Sequence, residues 1–192
     1  ENEPVVELVN NREREYIFAD LPDIGYSTDI DTVMASSYQV KKQLQQIVKI
    51  EQPITNTLLY KRILRIWNLT RVTTRLQVFI DNLLEDAYKD PLSGDTIIYW
   101  EDEEKAKDCD FYRINSKRDI LDIPILEVMS AARYAIEQQI SMPTEDLKRL
   151  TSQLLGFSRK GNNLDMVTEQ TIQLLVDQGI FSHANGMVSM NN

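Results

Sequence analysis

The feature that most limits how this chain can fold is an internal repeat. Residues of the first part recur further on at a constant offset of 88. Trp67-Asn-Leu-Thr-Arg71 falls on Leu155-Gly-Phe-Ser-Arg159, Leu59 on Leu147, Ile66 on Leu154 and Leu76 on Leu164. A match sustained over roughly 75–80 residues marks a duplicated supersecondary unit. Each copy alone buries a modest share of its surface. The copies are therefore expected to pack on each other, with the N-terminal arm across one of them.

Each copy reads as three helices followed by a β-hairpin. In the first, Val40, Leu44, Ile47 and Val48 fall at helical spacing from Ser37. Pro53 stops that helix. Thr55 caps the next, whose apolar stripe is Leu58, Leu59, Ile63 and Ile66. Thr70 is placed as the cap of a third helix carrying Leu76, Phe79, Ile80, Leu83 and Leu84. Pro91-Leu-Ser-Gly94-Asp95 reads as a turn. The β-rich runs Thr96–Trp100 and Phe111–Ile114 pair as a hairpin around the acidic loop Glu101–Asp110.

In the second copy Pro124 opens a helix through Val128, Ala132 and Ile136. Pro143 or Thr144 starts the next, with Leu147, Leu150, Leu154 and Leu155 as its stripe and Gly156 at its end. Ser158 is placed as the cap of a third helix with Leu164, Val167, Ile172, Leu174 and Leu175, ending near Gly179. Asn185-Gly186 between apolar runs signals a tight hairpin, because both residues tolerate positive φ. This order is that of a winged helix-turn-helix. The expected fold class is mainly α with small β-hairpins (α+β), as tandem winged helix-turn-helix repeats over 36–115 and 116–192. Residues 1–35 hold Pro4 and Pro22, show no sustained period, and read as an acidic arm or linker in which Tyr16-Ile-Phe-Ala19 supplies a short strand or an anchor.

Composition excludes several classes. The 192 residues are 42% hydrophobic and 27% charged, as in soluble globular proteins. No run approaches the ~20 apolar residues that span a bilayer. The start, Glu1-Asn-Glu-Pro4, has neither the basic start nor the apolar stretch of a secretory signal. The expected compartment is cytoplasmic, with no membrane partner. That start also lacks Met, and the chain is expected to be a piece of something longer. One cysteine, Cys109, and one histidine, His183, exclude an internal disulfide, a cysteine-cluster zinc site and a multi-histidine metal site.

The net charge of -9 hides an uneven distribution. Residues 1–35 carry nine acids and two bases, and residues 81–110 eleven acids and three bases. Between them, residues 36–80 carry one acid, Glu51, and eight bases, while residues 111–192 carry nine acids and eight bases. Local fields decide contact, because the Debye length is only ~8 Å at physiological salt. The basic block either meets phosphate or pairs with its two acidic neighbours.

The motifs also resemble a known family. Ile50-Glu-Gln-Pro-Ile54, Lys61-Arg-Ile63 and Trp67-Asn-Leu-Thr-Arg71 look like its first half. Asp119-Ile-Leu-Asp-Ile-Pro124, Glu127 and Leu154-Leu-Gly-Phe-Ser-Arg159 look like its second. The family is a bacterial domain of unknown function at the C-terminal end of very large proteins that combine a superfamily-one helicase core with a Vsr-like endonuclease domain. The resemblance covers roughly residues 38–188 and implies a non-catalytic accessory module. The family normally has Gly where this chain has Asn68, and a further Gly where it has Val72 or Thr73. No helicase or nuclease residue carries over, since those lie in other domains.

In a winged helix the start of the third helix enters the major groove. The first copy offers Arg71, Thr73, Thr74 and Arg75 there, and the second Arg159, Lys160, Asn162 and Asn163. Arg reads guanine and Asn reads adenine. Lys61, Arg62 and Arg65 on the preceding helix are placed as phosphate contacts, which set position rather than sequence. The competing role for Arg71 and Arg159 is structural, bridging the second helix to the third.

A carboxylate-plus-lysine metal site imagined from Asp95, Glu103 and Lys105 lacks a strand pair to hold it. Ser158-Arg-Lys-Gly161 lacks the glycines and Lys-Ser or Lys-Thr of a phosphate loop. His183 reads as a surface residue and Trp67 and Trp100 as packing. No catalytic residue, metal or cofactor is expected. The expected function is DNA binding through the third helix of the first copy, as a module of a helicase- or nuclease-type polypeptide. The alternative is a protein-interaction module docking on the helicase core or a partner.

Overall fold

A computed structural model describes residues 10–92, 94–137 and 139–191. The first nine residues, Pro4 among them, lie outside the described residues. In chain order the elements are β1 (Glu13–Glu15), α1 (Ile30–Ala35), α2 (Ser37–Glu51), β2 (Ile54–Thr55), α3 (Asn56–Ile66), α4 (Thr74–Leu83), β3 (Tyr88–Lys89), β4 (Ile98–Trp100), α5 (Glu103–Lys107), β5 (Tyr112–Ile114), α6 (Ile125–Glu137), β6 (Ser141–Pro143), α7 (Thr144–Leu154), α8 (Asn162–Asp177), β7 (Phe181–Ala184) and β8 (Met187–Met190). The chain is a mixture of helix and strand.

The order helix, strand, helix, helix, strand, strand occurs twice. Helices α2 and α6 start at residues 37 and 125, α3 and α7 at 56 and 144, and α4 and α8 at 74 and 162. Each pair is 88 apart, the offset of the sequence match. The three-stranded sheets also agree, running β2-β4-β3 in one copy and β6-β8-β7 in the other.

The chain forms two compact units. One holds residues 16–109 and 116–125. Its core gathers Leu44 and Ile47 of α2, Leu59 and Ile63 of α3 and Leu76 and Ile80 of α4, each fully buried. Burying one such side chain contributes about 1.5–3 kcal/mol. Ala19 and Val33 join the same core from the segment before α2. The other unit holds residues 10–15, 110–115 and 126–191. Val128, Ala132, Ile136, Leu147, Ile172, Leu175, Phe181 and Val188 are among its buried apolar residues.

Helices α3 and α7 close identically. Asn68 and Gly156, again 88 apart, take left-handed φ of +47° and +89°. The Leu69 N–H reaches the Leu64 carbonyl and the Phe157 N–H the Ser152 carbonyl, both at 2.9 Å. The Asn68 and Gly156 N–H groups bond the carbonyls of Arg65 and Gln153. This is the Schellman closure, in which Gly and Asn alone sit comfortably at the left-handed residue. It occupies residues 67–69 and 155–157, so the third helix starts later than the sequence reading places it. The cap of α4 is Thr73, not Thr70, and its hydroxyl accepts from the Leu76 N–H at 3.2 Å. The N-cap of α8 is Gly161, not Ser158.

The expected hairpin between Thr96–Trp100 and Phe111–Ile114 is replaced by a different pairing. Strand β4 pairs antiparallel with β3, placing Tyr88 opposite Trp100, and with β2, placing Ile54 opposite Tyr99. Asp90 fixes this arrangement. Its N–H donates to the Ile98 carbonyl at 2.9 Å, and its carboxylate accepts from Trp100 Nε1 at 2.9 Å. Strand β5 instead pairs in parallel with β1, Glu13 opposite Tyr112. The acidic segment between β4 and β5 forms the short helix α5, capped by the Asp102 carboxylate on the Lys105 N–H. The other hairpin is as expected, with Asn185 and Gly186 at φ of +53° and +75°. No helix among the described residues is long and apolar enough to cross a membrane.

Candidate nucleic-acid interface

The five cations of α3, of the segment that follows it and of the first turn of α4 have different surroundings. Arg62 is buried: one nitrogen donates to Glu51 Oε1 at 2.6 Å and to the Ala19 carbonyl at 2.5 Å. The Phe18 ring lies 3.5 Å from its guanidinium carbon. Glu51, also fully buried, takes further hydrogen bonds from the Ala19 N–H at 3.0 Å and the Tyr16 hydroxyl. Tyr16 to Ala19 is thus the anchor of the N-terminal segment, and Arg62 belongs to that anchor rather than to a phosphate surface. A sequence reading that places Arg62 beside Lys61 and Arg65 misses this, because adjacent helix positions differ in direction by about 100°.

Lys61 Nζ bridges both Asp122 carboxylate oxygens, at 2.6 and 2.8 Å, while its side chain stays half exposed. Arg65 is exposed, 6.0 Å from the Phe18 ring. Arg71 and Thr74 are exposed, and Arg71 has no ion-pair partner among the described residues. Arg75 pairs with Asp31 at 2.7 Å.

The outer face of α4 is Thr74, Arg75, Val78 and Asn82. It carries no exposed carboxylate. The one acid on α4, Asp81, turns inward and accepts the Tyr60 hydroxyl at 2.7 Å. Burial and then the Asp81 carboxylate push the Tyr60 phenol well above its ordinary value. Val78 is 54% exposed although apolar, and its counterpart Met166 on α8 is 45% exposed. The offset of 88 links the two, and only their exposure on otherwise amphipathic helices sets them apart from core residues.

In the second copy Arg159, Lys160, Asn162 and Asn163 are all exposed at the start of α8. Arg159, Lys160 and Asn162 line a cleft of about 460 Å³ that also takes in Phe157 and Lys148. Helix α8 differs from α4 in carrying exposed acids, Asp165 and Glu169, in its first two turns. Lys148 gathers them: its ammonium lies 2.6 Å from Asp165, 3.1 Å from Glu169 and 3.3 Å from Glu145. Burial disfavours that ammonium, but hydrogen bonds to the three carboxylates outweigh it and raise the Lys148 pKa.

The expected structural bridge from second helix to third therefore exists, but at other residues. Tyr60 to Asp81 and Lys148 to Glu169 make it, and Arg71 and Arg159 point to solvent. The acids considered for a metal are not assembled: among the described residues no group of three or more His, Cys, Asp or Glu could hold one. His183 is exposed and hydrogen-bonded to Thr144 at 3.1 Å, and Trp67 and Trp100 are buried.

Residues 35–78 match the family described as "Protein of unknown function (DUF3320)". The matched stretch takes in α2, β2, α3 and the first half of α4. No curated protein matches the chain.

Proposed function

We propose that the chain is a non-catalytic accessory module of tandem winged helix-turn-helix repeats, which binds DNA through α4 of the first repeat. The observation that carries this reading is the outer face of α4. It is free of exposed acids, presents Thr74 and Arg75 at its N-terminal end with Arg71 just before its cap, and offers Val78 for contact with a thymine methyl. The repeated element order and the matching strand orders support the winged-helix assignment. Lys61 and Arg65 flank the site as phosphate contacts, and Arg159, Lys160 and Asn162 form a weaker surface on the second repeat, where Asp165 and Glu169 repel phosphate. By its resemblance, the module serves the helicase or nuclease domains of a larger bacterial, cytoplasmic polypeptide and needs no cofactor.

The test is fluorescence anisotropy of labelled duplex against the chain and an Arg71→Ala/Arg75→Ala variant. Binding is expected to weaken steeply from ~50 to ~200 mM salt as counterions are released, and the variant to bind about ten-fold more weakly. Equal binding by both proteins would refute the α4 assignment.

The second reading is a protein-interaction module docking on the helicase core or a partner. It is favoured by the ion pairs that tie much of the basic block to acids of its own unit: Lys41 to Asp86, Lys49 to Glu101, Lys61 to Asp122 and Arg75 to Asp31. Absence of duplex binding at low salt selects it.

A further inference from the structure

We propose that residues 23–31 are an intramolecular competitor for the DNA backbone, an acidic arm laid over the α3–α4 turn. This rests on the reading of α4 as the DNA contact and adds a means of regulating it. Three contacts place the arm. The Ile24 N–H donates to the Ile66 carbonyl at 3.0 Å. The Thr28 hydroxyl donates to the Trp67 carbonyl. Asp31 meets Arg75 at 2.7 Å. The three partners are the last residue of α3, the C-cap of α3 and the first turn of α4, so the arm borders the proposed interface.

The arm has the charge a competitor needs. Residues 16–35 contain Asp20, Asp23, Asp29 and Asp31 and no Lys or Arg. Asp29 caps α1 on the Thr32 N–H at 2.8 Å, which holds its carboxylate below the ordinary range and keeps it charged. Ile24 and Ile30 pack against the core of the unit, so the acids are presented from a fixed backbone. The contact is also weak enough to yield. Arg75 and Asp31 are 56% and 73% exposed, and an exposed pair is screened by salt and gives little net stability. Phosphates arriving together can displace it.

The experiment compares duplex anisotropy for the native chain and an Asp23→Asn/Asp29→Asn/Asp31→Asn variant. Asn caps a helix as well as Asp, so α1 is retained, and a thermal melt checks this. A Glu103→Gln/Glu104→Gln/Asp108→Asn variant changes net charge equally, but on the segment around α5. The arm variant is expected to bind about five-fold more tightly at ~50 mM salt, with the gain shrinking at ~200 mM. The α5 variant is expected to gain less than about two-fold. Equal gains in both variants would overturn the proposal, since net charge alone would then act. No gain in the arm variant, while the native chain binds through Arg71 and Arg75, overturns the competitor and leaves the DNA reading standing. If neither the native chain nor the arm variant binds duplex, the DNA reading falls and the competitor with it.

Discussion

Tyr60 and Lys148 hold the same position in the two copies, and each ties the second helix of its copy to the third through residues that again correspond. Tyr60 donates to Asp81 at 2.7 Å, and Lys148 pairs with Glu169 at 3.1 Å. Lys148 lies 88 residues after Tyr60 and Glu169 lies 88 after Asp81, so the duplication has kept the link and exchanged its chemistry. A phenol can serve one carboxylate from a buried site. An ammonium, with three donors, gathers Glu145 and Asp165 as well.

Replacing the two residues is expected to give unequal losses. Tyr60→Phe removes a hydrogen bond to a charged acceptor and costs about 1.5–3 kcal/mol. Lys148→Met leaves three carboxylates facing one another, but they are mostly exposed, and screening limits the loss to about 1 kcal/mol. Urea denaturation of each variant measures both. A larger loss for Lys148→Met would show that the exposed acids repel more than screening permits.

The Arg62–Glu51 pair is expected to behave as a buried ion pair. Glu51→Gln strands the Arg62 guanidinium among Phe18, Ala19 and the core and costs about 3–5 kcal/mol. Replacing both residues with apolar ones of similar volume restores much of that. A double-mutant cycle by thermal unfolding checks the coupling, and additive losses would contradict it.

The buried tyrosines set an alkaline limit. An ordinary phenol ionises near pH 10. Burial, ahead of the neighbouring Glu13, pushes Tyr112 up to about 12. Burial and then Asp81 raise Tyr99 and Tyr60 further. A raised pKa means the fold favours the neutral phenol. That contribution is complete below pH ~10 and is lost as pH climbs through the raised values. Phenolate absorbance should show a late-titrating group of tyrosines, and Asp81→Asn should move Tyr60 and Tyr99 back toward the ordinary value.

The two left-handed closures predict opposite substitutions. Gly156→Ala places a side chain at φ of +89° and is expected to cost about 1–2 kcal/mol. Asn68→Gly relieves the same conformation at φ of +47° and is expected to be neutral or to stabilise by about 0.5 kcal/mol. Melting temperatures of the two variants decide, and a destabilising Asn68→Gly would mean that the Asn68 side chain contributes more than its backbone tolerance.

Much of the architecture was legible in local sequence. Helix periodicity, the Pro53 stop, the Thr55 cap and the Asn185-Gly186 turn all depend on residues a few positions apart, and the constant offset carried the element order from one copy to the other. The third helices start three residues later than the capping pattern suggests, because Thr70 and Ser158 are capping residue types that local sequence cannot tell from the true caps, Thr73 and Gly161, beyond the Schellman closure. The candidate site was legible only in part. Thr74 and Arg75 fall in the first turn of α4, while Arg71 falls in the segment before its Thr73 cap, and nothing near Arg62 in sequence announces Glu51, Ala19 and Phe18 as its surroundings.

The duplicated register, the helices and the charge of each segment follow from short-range periodicity and composition. Which cations stay available depends on long-range packing. It buried Arg62 against Glu51, gave Lys61 to Asp122 and Arg75 to Asp31, and left Arg71 in solvent. Those pairings join residues separated by 11, 61 and 44 positions, and only chain folding brings such charges within the few ångströms over which they neutralise each other.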